Sequence, residues 1–194
     1  MVMKGILEGA VNPSLAAVVE HIRKGTLDFV LLKPADAQFL VSTQKFAPWR
    51  VADALSGVAM FAVAFRRLGR WPSPAHAAAA LLLLACAALI LYSVWILVVS
   101  AAFFVVKVDN LSYLFVSIFD AARWPADVFR GILRVVFTFV VPLALMTTFP
   151  ARALLGKGFG ARDVLAALAG AVAFAAFARV VWLRSIGRYT SASS

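Results

Sequence analysis

Residues 77–106 read AAAALLLLACAALILYSVWILVVSAAFFVV, a run without a charge, a proline or a glycine. As one straight helix it would be about 45 Å long at 1.5 Å per residue. The hydrocarbon core of a bilayer is about 30 Å thick. The run therefore predicts a membrane span that tilts, bends or continues into the interface. The composition around it agrees. Of 194 residues, 63% are hydrophobic and 14% charged, where soluble domains hold about 45–50% and about 25%. An apolar content this high also excludes disorder. Helices satisfy their own backbone hydrogen bonds in lipid. The predicted fold class is accordingly all-α, a polytopic membrane helical bundle of about four to five membrane segments.

Upstream, a shorter apolar span covers 49–65. Arg50 and Asp53 lie three apart at its start, a spacing that allows a structural ion pair at the interface. Arg66, Arg67 and Arg70, then Trp71-Pro72-Ser73-Pro74, make a tight interfacial loop, with Trp71 suited to the aromatic belt. Downstream, Lys107, Asp109 and Asn110 end the long run. A short apolar stretch follows at 109–122, and another ends at Phe149 with Pro142 inside it and Pro150 after it. Proline removes a helical hydrogen bond, so two readings stand. In one, 132–149 is a full span. In the other, 109–122 is a short membrane helix and 126–149 dips in and returns, which requires cover by protein or water. The last span is 164–183, rich in alanine and with Gly170. Its small residues four apart favour close helix packing. Arg179 lies near the inner end and is placed to snorkel. Residues 186–194 are a tail.

Residues 1–46 are polar by comparison and hold no run long enough for a secretory signal. Asn12-Pro13 marks a helix start. Leu15, Val18, Val19 and Ile22 recur on one face, and Gly25 is a stop. The segment 13–24 is thus a short amphipathic helix, too short and too charged to cross a bilayer. Phe29 to Leu32 is an apolar stub, and 35–46 a second, weaker amphipathic stretch.

The formal charge is +10, with 19 Lys and Arg against 9 Asp and Glu. The basic residues sit between apolar runs rather than in one stripe. That pattern sets topology and meets lipid headgroups, and does not point to nucleic acid. With full spans, ten basic residues (Lys4, Arg23, Lys24, Lys33, Lys45, Lys107, Arg123, Arg130, Arg184 and Arg188) fall on the side of the termini. Six (Arg66, Arg67, Arg70, Arg152, Lys157 and Arg162) fall on the other. Both termini are then cytoplasmic. In the re-entrant reading Arg123 and Arg130 change sides and the excess disappears.

No catalytic constellation is legible. Gly156-Lys157-Gly158-Phe159-Gly160 lacks the spacing of a phosphate-binding loop and reads as a hinge. One cysteine, Cys86, and two histidines, His21 and His76, exclude a disulfide within the chain and point away from a metal centre. No cofactor is indicated. The chain is expected to be no enzyme: it moves or holds something and takes its energy from another polypeptide.

Two strings carry a family resemblance. His21-Ile22-Arg23-Lys24-Gly25-Thr26-Leu27-Asp28-Phe29-Val30-Leu31-Leu32-Lys33-Pro34 resembles the signature of a bacterial subfamily of type-2 ATP-binding cassette (ABC) exporter permeases. Arg123-Trp124-Pro125, Phe137 to Pro142 and Phe149 to Gly156 are similar to that subfamily's late region. The resemblance covers roughly 13–185 and implies a permease half that pairs with a second permease subunit, in a homo- or heterodimer. Each half engages a cytoplasmic ATP-binding subunit through a coupling helix. Here that segment maps onto 13–33, which makes Glu20, His21, Arg23, Lys24, Asp28 and Lys33 the expected contacts with the ATPase. The family's pattern also favours the re-entrant hairpin at 126–149. It carries two further helices before the coupling segment, so the chain is expected to be N-terminally short. The expected organisation is a cytoplasmic segment at 1–46, a permease domain at 47–185 and the tail, in a bacterial cytoplasmic membrane. A largely apolar pathway favours amphipathic or hydrophobic cargo. The rival expectation is a non-transport membrane scaffold or assembly factor, and a membrane-embedded enzyme ranks below both.

Overall fold

The computed structural model describes residues 9, 12–45, 47–103, 148–156 and 160–188. The described elements are helical: α1 Asn12–Lys24, α2 Asp28–Leu31, α3 Ala37–Ser42, a 3-10 turn at Pro48–Arg50, α4 Val51–Leu68, α5 Pro74–Ala102, α6 Thr148–Leu154 and α7 Ala161–Ile186. No strand occurs among the described residues. Among the described residues two helices, α5 and α7, are long and apolar enough to cross a membrane. The stretch 109–122 and nearly all of 126–149 lie outside the described residues, as do 1–8 and 189–194.

Local chemistry sets the boundaries. α1 closes at Gly25, whose φ of 66° suits the left-handed cap. The Gly25 N–H donates to the Ile22 carbonyl at 3.3 Å and the Thr26 N–H to the His21 carbonyl at 2.9 Å, the paired closure of a Schellman cap. α5 begins three residues before the reading from hydropathy, because Ser73 is its N-cap and Pro74 its first residue. The Ser73 hydroxyl accepts from the His76 N–H at 3.3 Å. Pro150 lies within α6 and is buried. α7 starts at Ala161, where Asp163 accepts from the Gly160 N–H at 2.9 Å.

The core forms around α5. Its buried side chains include Leu83, Cys86, Ile90, Trp95, Ile96 and Val99, and α7, α6 and α1 all pack on it. On α7 the buried positions are Ala171, Ala178, Trp182 and Ser185. In lipid, helix association rests on packing rather than on expulsion of water, so small residues at the seam matter. Gly170 points elsewhere: a Cβ there would meet nothing within 4 Å. The buried hydroxyls of Ser93, Ser100 and Ser185 donate to the carbonyls of Leu89, Ile96 and Val181 at 2.6, 2.7 and 2.9 Å, which satisfies them inside an apolar core.

α5 and α7 run parallel. Near their starts, Gly156, five residues before α7, lies against His76 in the first turn of α5. At their ends, the rings of Phe103 and Trp182 meet edge-on with centroids 5.7 Å apart. Among the described elements α4 packs chiefly on the 3-10 turn before it, and it leaves Val51, Leu55, Val58, Met60, Phe61 and Val63 exposed. α7 likewise exposes Leu165, Val172, Phe177, Val180 and Leu183. Faces this apolar are costly in water and ordinary against lipid.

Candidate functional site

The segment before α4 folds as a unit around two polar anchors. Ser14 in α1 is fully buried. Its hydroxyl donates to the Lys45 carbonyl at 2.7 Å and accepts from the Lys45 N–H at 2.8 Å, so the two ends of the segment are tied together. The apolar face of α1 rests on α5 and α3, with Val18 fully buried and Val19 and Ile22 partly so. Asp36 caps α3 by accepting from the Phe39 N–H at 3.0 Å.

What remains outward is the tip formed by the end of α1 and by α2. Glu20 and Lys24 are exposed and paired at 2.6 Å, one helical turn apart. Asp28 begins α2 and is half-buried, and Lys33 is exposed. His21 turns back instead: its Nδ1 lies 2.8 Å from the Thr26 hydroxyl and closes the turn after α1. The side chain of Arg23 lies outside the described set. Between these charges Phe29 is 71% exposed and Leu32 81%, while Val30 between them is buried. Sequence reading took Phe29 to Leu32 as one apolar stub. A single helical turn instead divides it into an inner side and an outer side, and two large apolar groups stand out among charges.

A second polar constellation links this segment to both long helices. From α7, Arg179 donates to Asp36 Oδ1 at 3.1 Å and to Gln38 Oε1 at 2.8 Å, and pairs with Asp36 Oδ2 through its other nitrogen. Gln38 Nε2 donates to the Tyr92 hydroxyl of α5 at 3.0 Å. Ser42 closes the chain, its hydroxyl 2.7 Å from that of Tyr92 and donating to the Gln38 carbonyl at 2.6 Å. Tyr92 and Arg179 each lie eighteen residues into their helices, counted from Pro74 and Ala161. That is about 27 Å along a helix, close to the thickness of a hydrocarbon core. A guanidinium at that depth needs a partner, and Asp36 provides one. The guanidinium hydrogen bond holds the Asp36 carboxyl below its ordinary value of 3.8, helped by the Phe39 N–H and opposed by partial desolvation.

Sequence reading singled out Arg179 but missed Asp36, Gln38, Ser42 and Tyr92. The available signals were an aspartate before α3, polar residues four apart at Gln38 and Ser42, and a lone phenol in the apolar run. Asp53 lies in the first turn of α4, and its expected partner Arg50 has its side chain outside the described set. Among the described residues no three His, Cys, Asp or Glu side chains gather as a metal site.

A family model described as ABC-2 family transporter protein matches residues 1–193. No curated protein and no solved structure matches the chain.

Proposed function

Because this chain belongs to the ABC-2 transporter family and is a type-2 ABC permease, we propose that it works as an export permease driven by a separate ATP-binding subunit that grips the α1–α2 tip. The observation that carries this reading is the tip itself. Phe29 and Leu32 are exposed amid Glu20, Lys24, Asp28 and Lys33, on a segment whose other face is packed against α5. Apolar anchors ringed by charge are the usual anatomy of a protein contact. The Ser14–Lys45 bonds and the Arg179 network support a lever that moves as one piece. In this reading the tip and both termini are cytoplasmic, the membrane is the bacterial inner membrane, the spans pass it several times, and a second permease subunit and lipid cover the exposed faces of α4 and α7.

The test is co-purification with the candidate ATPase in detergent. Charge reversal at Arg23 and Lys24, and separately Phe29→Asp, should each abolish complex formation and ATPase stimulation. Full complex and full stimulation in both variants would overturn the assignment. Binding of the same segment to anionic vesicles, lost on charge reversal, would mark it instead as an interfacial helix on headgroups.

A further inference from the structure

We propose that Arg179 is a positioning residue that ties the lever segment to α7, so that a push on the α1–α2 tip moves α7 together with α5. This deepens the reading above and rests on it. The two long helices are held to the segment by different means. α1 lies directly on α5 through its apolar face, and that contact survives without any polar bond. α7 packs on α5, and among the described residues its hydrogen bonds to the segment come from the Arg179 side chain. Its two nitrogens take both oxygens of Asp36, a fork-on-carboxylate geometry that fixes direction as well as distance. Asp36 is itself fixed as the cap of α3, and Gln38 is shared between Arg179 and Tyr92. Four side chains thus make one relay from α7 through the segment to α5. All of it sits at one depth, near the inner boundary, where a displaced lever pulls on both helices at once.

The geometry assigns the pair a directional role that packing alone does not supply. If the guanidinium loses Asp36, α1 stays seated on α5 and the tip stays formed, so the ATPase still docks. What is lost is the link to α7. This makes a selective prediction. It separates the tie from a merely structural salt bridge, whose loss would loosen everything or nothing.

The experiment uses the full chain with its partner ATPase in nanodiscs, in a Cys86→Ser background. Spin labels are placed at Gln44 on the lever and at Leu168 on the outward side of α7, and in a second preparation at Gln44 and Leu81 on α5. In the unmutated tie, both distances stay the same between the nucleotide-free and ATP-trapped complexes. In Arg179→Gln, the Gln44–Leu168 distance shifts by about 2 Å or more on trapping, the scale of helix displacements in switching proteins. The Gln44–Leu81 distance does not shift, and ATPase co-purification is unchanged. Asp36→Asn does the same and keeps the cap of α3, so the test survives if Arg179→Gln folds poorly. The swap Asp36→Arg with Arg179→Asp restores the fixed distance. A Gln44–Leu168 distance that stays constant in both single variants, or that moves as far with the tie intact, overturns the proposal. If the unmutated chain binds no ATPase, the reading under Proposed function fails on its own. The tie is then judged on the permease alone, where a broader Gln44–Leu168 distribution in Asp36→Asn upholds it and an unchanged one overturns it.

Discussion

Asp36 is the residue at which acidity should be felt. Its carboxyl titrates below 3.8 in the folded chain because Arg179 bonds the ionised form. A depressed folded value contributes stability at neutral pH that disappears as pH falls through it. The thermal midpoint in detergent should therefore be insensitive to this pair from neutrality to about pH 5, then drop below the ordinary 3.8. In Asp36→Asn the acid drop should be shallower. The pair is about two-fifths exposed on both sides, so the effect is that of a screened surface ion pair. Ser14 is different, being fully buried. Ser14→Ala removes both bonds to the Lys45 backbone and should cost about 1–2 kcal/mol, read from denaturant titration. Gly156 carries φ of 64°, and a Cβ there would sit 3.1 Å from His76 Cε1. Gly156→Ala should destabilise by about 1–2 kcal/mol from backbone handedness, with a further steric share. His76→Ala in the same chain should relieve the steric share and leave the backbone share.

At the scale of elements, the seam between α5 and α7 is where size matters. Ala171 is fully buried at that seam, while Gly170 beside it faces open space. Ala171→Leu should cost about 1–3 kcal/mol through overpacking. Gly170→Leu should stay within about 0.5 kcal/mol in the isolated chain. Unfolding of both variants in mixed micelles checks the contrast, and equal losses would mean that α7 is rotated from the orientation described. The same rotation argument explains α1. Its apolar face is consumed by α5 and α3, so its polar face and the α2 turn are what a partner meets.

At the scale of the molecule, the parallel run of α5 and α7 sets the topology. Both start at the His76 and Gly156 end and finish at the Phe103 and Trp182 end. Gln44, on the lever, and Gly187, just after α7, should therefore share one side of the membrane, and Arg70 the other. In a Cys86→Ser background, an impermeant maleimide added to intact cells should label Arg70→Cys. Gln44→Cys and Gly187→Cys should react only after the membrane is opened. Labelling of all three in intact cells would break the cytoplasmic assignment of the lever. The +10 charge does not decide this alone, because Arg66, Arg67 and Arg70 cluster on the side expected to be exterior.

Hydropathy and end signals were enough to determine the class of the fold, the existence of both long helices, and the amphipathic helix with its Gly25 stop. These properties are local. A continuous apolar run has no stable place but lipid or a core, and a cap is made by residues within one turn of each other. The string His21 to Pro34 and the later strings between Arg123 and Gly156 likewise carried the family resemblance. The tertiary structure alone decided which residues act together. Asp36 and Arg179 are 143 positions apart and Gln38 and Tyr92 are 54 apart, and neither pairing has a periodic signature. Whether Phe29 and Leu32 point inward or outward also depended on the fold, because one turn of helix carries no amphipathic record of its own. The burial of a side chain is fixed by which neighbour arrives to cover it, and that information lies in the packing of α1 and α3 on α5.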